Sequence, residues 1–192
     1  MTSICLIRHG ETDWNATGRM QGKTDIPLNA KGIEQAEHCG ASLHPADYDV
    51  LITSPLKRAK RTAEIINQYL HLPMIEMKDF AERSFGDAEG LSMEERREKF
   101  PDHQYPNQEE KENFNQRVMG AIQQVTQLYP NQRVLVVAHG AVINQILATL
   151  SQGEIGSGKT KLLNTCINNI HFHEDKWNIK DYNVVDHLKN TV

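Results

Sequence analysis

Two short stretches of the chain end in histidine followed by glycine: "ICLIRHG" (Ile4 to Gly10) and "VLVVAHG" (Val134 to Gly140). A neutral imidazole can take a phosphoryl group, and an arginine fork matches the oxygens of a tetrahedral dianion. Arg8 adjoins the first histidine, and Arg58 sits in the basic run Lys57-Arg58-Ala59-Lys60-Arg61. A lone histidine at a strand end is more often an ordinary hydrogen-bonded residue, and most of that basic run reads as the solvated face of a helix. Two such junctions in one chain, one carrying an adjacent arginine, point further. Arg8, His9, Arg58 and His139 are candidates for one phosphate-handling crevice, and glycine after each histidine allows a close backbone approach to a ligand.

A second phosphate motif competes. Gly153 to Thr160, "GEIGSGKT", has the spelling of a P-loop, but that loop works only between a strand and a helix. Here the preceding Ala141–Ser151 reads as a helix, and the following residues turn quickly into a strand. No apolar strand downstream ends in an Asp suited to Mg²⁺. The segment is expected to be a glycine-rich connection, and a nucleotide-binding module at 153–160 is the remote alternative. "HFHE", His171 to Glu174, resembles a metal motif but lies on an edge-strand pattern; no metal site is expected there.

These residues need a frame that brings strand ends together. "ICLI", "DVLIT" and "VLVVAH" are short and dense in Val, Ile and Leu, as strands buried on both faces are. "MIEM" is a weaker strand, while "INNIHFH" and "KWNIKDYN" alternate as half-buried antiparallel strands do. Helical patterns lie between them. One runs over 29–43 from an Asn cap, one over 54–70 from a Ser-Pro start, and two more over 112–129 and 141–151. Strands alternating with helices predict a three-layer α/β/α sandwich around a mixed, mostly parallel sheet. Ligands bind beyond the carboxyl ends of such strands. Residues 101–111, polar and breaker-rich, are expected to form a surface loop.

With 192 residues, 39% hydrophobic and 24% charged, the chain is expected to fold as a single domain over 1–192 without disulfides or structural metal. A formal charge of −4 offers nucleic acid no global attraction, so an anionic substrate must meet a local basic pocket. Cys5, Cys39 and Cys166 are widely spaced and form no CxxC pair. Neither a signal peptide nor a membrane span is read, and a cytoplasmic protein is expected.

In chain order, "RHGET", "MQGKTDIPLNAKG", "TSPLKRAKRTAE", "ERSFGDAEG" and "VVAHG" resemble the histidine phosphatase superfamily, the phosphoglycerate mutase-like proteins. Within it the series is most similar to small bacterial phosphatases of broad specificity. The resemblance covers essentially the whole chain. It implies that His9 is the nucleophile, that Arg8, Arg58 and His139 surround the phosphoryl oxygens, and that Glu82 is the acid/base. It also implies that Asn15, Gln21 and Gly22 contact phosphate or line the mouth, and that Gly140 offers its N–H. No metal or other cofactor is implied, since cationic side chains supply the charge. The implied partner is a small phosphorylated metabolite; the oligomeric state is left open. Glu89 is read as pinning a loop rather than as the acid.

Mutases of the family share this core, so the core does not separate them from phosphatases. They add arginines that hold a bisphosphate. Here the region after Glu82 is short and acidic, and Arg96 and Arg97 in "MEERREKF" have Glu neighbours at helical spacing. Hydrolysis is the preferred expectation and phosphoglycerate mutase-type transfer the alternative.

Overall fold

The computed structural model describes residues 1–189. Six strands form one sheet: β1 (Thr2–Arg8), β2 (Val50–Thr53), β3 (Met74–Glu76), β4 (Arg133–Ala138), β5 (Ile167–His173) and β6 (Lys176–Val184). Their order is β3-β2-β4-β1-β5-β6. The first four pair in parallel, and β5 and β6 run antiparallel at one edge. Every strand falls where the sequence pattern places it. The contrast between continuous and alternating apolar runs reflects a sheet covered on both faces at its centre and half-solvated at its edge.

Alternation along β1 and β4 divides the core. Ile4, Leu6, Val134 and Val136 point to one face, where Phe114, Val118 and Ile122 of α5 (Lys111–Leu128) and Ile143 and Ile146 of α6 (Gly140–Leu150) cover them. Cys5, Ile7, Leu135 and Val137 point to the other, under Cys39 of α2 (Ala30–Ser42) and Ala59, Ala63 and Ile66 of α3 (Lys57–Leu70). This is the expected three-layer sandwich. Two short helices, α1 (Asp13–Ala16) and α4 (Met93–Lys99), complete the α elements.

Several local expectations need correction. Asn29 caps α2 through the Gly32 N–H, as its sequence suggests. The Ser-Pro start of α3, however, does not open the helix. Leu56 occupies the cap position without a side-chain bond, and Asp25 from a distant loop accepts from the Lys57 N–H instead. Ser54 is occupied elsewhere, with His139 and the Leu56 N–H. Arg96 and Arg97 make no ion pair among the described residues. Glu95 caps its own helix with Ser92 and pairs with Arg19, while Arg96 donates to the Leu91 carbonyl.

Gly153 to Thr160 follows α6 and is built of turns; no helix comes after it before β5. Lys159 Nζ donates to the Gly153 carbonyl of its own loop. The context a P-loop requires is therefore missing.

Candidate active site

β1 and β4 are neighbours that send their following helices to opposite faces of the sheet. That is a switch point, where a crevice opens at the strand ends. The register puts Arg8 opposite Ala138 and Thr53 opposite Val137. The His9 N–H then donates to the Ala138 carbonyl and the Ser54 N–H to the Val137 carbonyl. His9, His139 and Ser54 thus stand side by side on three strands, with the two imidazole centroids 5.2 Å apart.

His9 Nδ1 donates to the Gly10 carbonyl at 2.7 Å, which fixes the tautomer and leaves Nε2 as a lone pair for attack. Gly10 is required here for packing rather than for a ligand: an added Cβ would lie 2.4 Å from the Gly32 carbonyl oxygen in α2. His139 Nε2 lies 2.7 Å from Ser54 Oγ. That hydroxyl also accepts from the Leu56 N–H and keeps its own proton for His139 Nε2; with Ser54 as donor, the ring proton of His139 sits on Nδ1.

Arg58 is 1% exposed, yet among the described residues no carboxylate pairs with it. Its Nη1 and Nη2 donate to the Thr24 and Gly22 carbonyls at 2.9 and 2.6 Å. Gly22 can turn its carbonyl there because its φ is +57°, and an added Cβ would strike the Glu89 carboxylate. Arg8 Nη1 is anchored to the Leu162 carbonyl. Among the described residues, three buried side-chain nitrogens remain without a partner: Arg8 Nε, Arg58 Nε and His139 Nδ1. Native interiors rarely leave buried donors unpaired, and these three occur on the residues that the sequence singles out.

Glu82 is buried, and its two oxygens accept from the Arg83 N–H at 2.9 Å and the Ala141 N–H at 3.1 Å. Burial raises its pKa above the usual carboxylate range, against the pull of those N–H groups and of Arg58 and Arg8. Burial is also the first cause that depresses His9 and His139 well below the ordinary histidine value; the charges of Arg58 and Arg8 act in the same direction. Burial thus shifts His9 toward its neutral form and Glu82 toward its protonated form, the two directions that acid–base chemistry needs.

Glu89 behaves differently. Its carboxylate accepts from the N–H groups of Lys23, Thr24 and Phe85 and from the Thr24 hydroxyl, tying the 22–24 loop to the loop after Glu82. Thr12 caps α1 and Asn15 completes the capping box, its Oδ1 accepting from the Thr12 N–H and from Asn164 Nδ2. Gln21 is buried, and its Oε1 accepts from the Thr12 hydroxyl. Gly140 opens α6, with the Arg8 guanidinium packed over it, and that helix N-terminus favours negative charge at the crevice.

Sequence reasoning missed Ser54 and the segment before β5. In the latter, Leu162 holds Arg8, Asn164 Nδ2 donates to the His9 carbonyl, and the Thr165 N–H bonds the carbonyls of Arg8 and His9. The only available signal was an Asn-Thr pair just before a strand.

Two buried neutral histidines predict a stability profile. Their folded pKa values lie below the unfolded value of about 6.5. Below that pH the unfolded chain takes up protons first, so stability is full above pH 6.5 and falls as the pH drops. Between pH 7 and 5.5 each histidine should remove about 1 kcal/mol. Urea unfolding of His9→Asn should show a shallower loss than wild type by that amount; identical pH profiles would count against burial as the cause.

A crevice at a switch point, a histidine with a free nitrogen, buried guanidinium groups and a buried carboxyl are what phosphoryl transfer through histidine requires. Residues 4–185 match the histidine phosphatase superfamily (branch 1), and the chain belongs to that family. It is 55% identical over 188 residues to the uncharacterised phosphatase PhoE of Bacillus subtilis, covering 98% of this chain and 97% of that protein. It is 37% identical over 202 residues to a metal-independent phosphoserine phosphatase of Arabidopsis thaliana (98% and 84% covered). A probable phosphoglycerate mutase, GpmB of Cronobacter sakazakii, is 33% identical over 189 residues (92% and 88%). Among solved structures, YhfR of Bacillus stearothermophilus superposes with a TM-score of 0.91 at 27% identity, covering 98% of this chain and all of that one.

Proposed function

We propose that this chain is a phosphatase that hydrolyses small phosphomonoesters through a phosphohistidine on His9. The observation that carries the reading is the set of three unpartnered buried nitrogens, Arg8 Nε, Arg58 Nε and His139 Nδ1, beside the free Nε2 of His9. The phosphoryl group lies among them, with the Asn15 amide and the N-terminus of α6 completing the cage. His9 Nε2 attacks phosphorus as the bond to the ester oxygen breaks, and Glu82 gives its proton to the departing alkoxide. Glu82, now a carboxylate, takes a proton from water; the water oxygen attacks phosphorus, the N–P bond breaks, and inorganic phosphate and neutral His9 are released. Positioning and charge supply most of the rate, as in other phosphoryl transfers.

Similarity to PhoE and to the plant phosphoserine phosphatase favours hydrolysis, with a phosphorylated metabolite as substrate. Likeness to GpmB keeps mutase-type transfer as the second reading. Against it, Arg96 bonds its own chain at Leu91 and Arg97 is exposed, so neither makes a bisphosphate clamp. Incubation with 3-phosphoglycerate or 2-phosphoglycerate should yield inorganic phosphate from whichever reacts. Interconversion of the two isomers without phosphate release would establish the mutase instead.

The single sheet and the family match from 4 to 185 support one domain over the chain. A cytoplasmic setting belongs to the same proposal. It is supported by Cys5, Cys39 and Cys166, which are all buried free thiols. Among the described residues no helix is long and apolar enough to cross a membrane.

A further inference from the structure

We propose that a cavity beside Glu82 receives the alcohol half of the substrate, and that Lys111 and Lys159 select alcohols carrying a second anionic group. The inference rests on the phosphatase reading above. Arg83 and Ala141, whose N–H groups hold the two oxygens of Glu82, both line this cavity of about 430 Å³. A general acid stands within hydrogen-bond reach of the oxygen that leaves. The Arg83 and Ala141 N–H groups hold Glu82 against the wall of this space, so an alcohol that takes its proton from Glu82 is placed toward it.

The walls state what fits. Phe85, Phe114 and Ile155 are apolar, while Arg83, Lys111 and Lys159 bring three positive charges. Among the described residues no Asp or Glu lines the cavity. None of the three cations forms an ion pair among the described residues, in a chain whose net charge is −4. Arg83 is rigidly placed: Nε and Nη2 donate to the Glu109 carbonyl at 3.0 and 2.9 Å, and its guanidinium lies over Phe85 and Phe114. Lys111 is the first residue of α5, and Lys159 closes the glycine-rich loop after α6. That loop folds against α6 so tightly that a Cβ on Gly156 would lie 2.8 Å from Ala148 Cβ. The P-loop spelling thus has a different use here, presenting a lysine to the leaving group.

The volume falls in the range of about 300–1,000 Å³ typical of small-molecule pockets. It admits an alcohol with an apolar body and a terminal anion. Ammonium groups act as point charges, so a carboxylate and a second phosphate share this chemistry.

The test compares phenyl phosphate, 4-carboxyphenyl phosphate and 1,4-phenylene bisphosphate on wild type, Lys111→Gln, Lys159→Gln and the double variant. Wild type should prefer the two charged esters. That preference, as a ratio of kcat/KM, should fall about three- to tenfold for each substitution and further for both, mainly through KM. The carboxylate and bisphosphate arms show which anion is favoured. Equal losses on charged and uncharged esters would make the loop merely structural, and an unchanged preference in the double variant would remove the lysines from recognition; either result overturns the proposal. Calorimetric binding of phenylphosphonate and 4-carboxyphenylphosphonate makes the same comparison without turnover. A chain that hydrolyses none of the esters, yet binds the carboxylated phosphonate more tightly through both lysines, keeps the subsite and loses only the phosphatase reading.

Discussion

His9→Ala should eliminate the acid-labile, base-stable phosphoprotein that rapid quenching traps from a labelled monoester, and turnover with it. Removing a nucleophile can cost on the order of 10⁶-fold, because the remaining groups act only through it. The structure gives His9 this position for a reason that His139 lacks. The Nδ1 of His9 is spent on the Gly10 carbonyl and its Nε2 is free. His139 is the reverse: Nε2 is spent on Ser54 and Nδ1 is unpartnered, so with Ser54 donating, Nδ1 carries the proton. One ring offers a lone pair and the other a hydrogen. His139→Ala should therefore slow phosphoprotein formation by about 10²–10³-fold, the worth of one preorganised donor, without abolishing it. Ser54→Ala tests the same logic from behind, since His139 could then protonate either nitrogen and its effect should be smaller. Label that survives in His9→Ala and vanishes in His139→Ala would exchange the two roles.

The order of these groups shows what a sequence can and cannot say. Strand ends were readable because β1, β2 and β4 are buried on both faces and carry unbroken apolar runs that stop abruptly at Arg8, Thr53 and Ala138. Knowing that three parallel strands end together puts His9, His139 and the start of α3 in one place. Ser54 was equally well placed, but its Ser-Pro context suggested a helix cap. The actual cap for Lys57 comes from Asp25, 32 residues away, a partnership that no local pattern encodes. Asn164 illustrates the same limit. Its bonds to the His9 carbonyl and to Asn15 span 155 and 149 residues, and only the antiparallel return of β5 beside β1 brings it there. The glycine after His9 was legible as a close approach, though the neighbour is α2 rather than a ligand. Contacts of this kind are set by packing, and sequence spacing holds no record of them.

Glu82→Gln should slow the hydrolysis of alkyl phosphates by about 10²–10⁴-fold, the usual worth of general acid catalysis, and should slow phosphohistidine formation from 4-nitrophenyl phosphate far less. Nitrophenolate departs without a proton, whereas an alkoxide needs one. The environment supports this assignment: burial raises the Glu82 pKa above its ordinary value, and its two N–H donors, Arg83 and Ala141, line the cavity. Glu89 makes a useful contrast, because its carboxylate is consumed by three backbone N–H groups and a hydroxyl. Glu89→Gln loses part of that network and lets the Gly22–Thr24 loop that holds Arg58 loosen. Its cost should fall equally on both leaving groups and appear largely in KM. Turnover alone cannot separate the two residues, because Glu82 is also the base that activates water in the second step. The product burst isolates the first. If Glu82→Gln slows the burst equally for alkyl and nitrophenyl esters, Glu82 is not the acid; if the leaving-group dependence appears in Glu89→Gln instead, the role moves to Glu89.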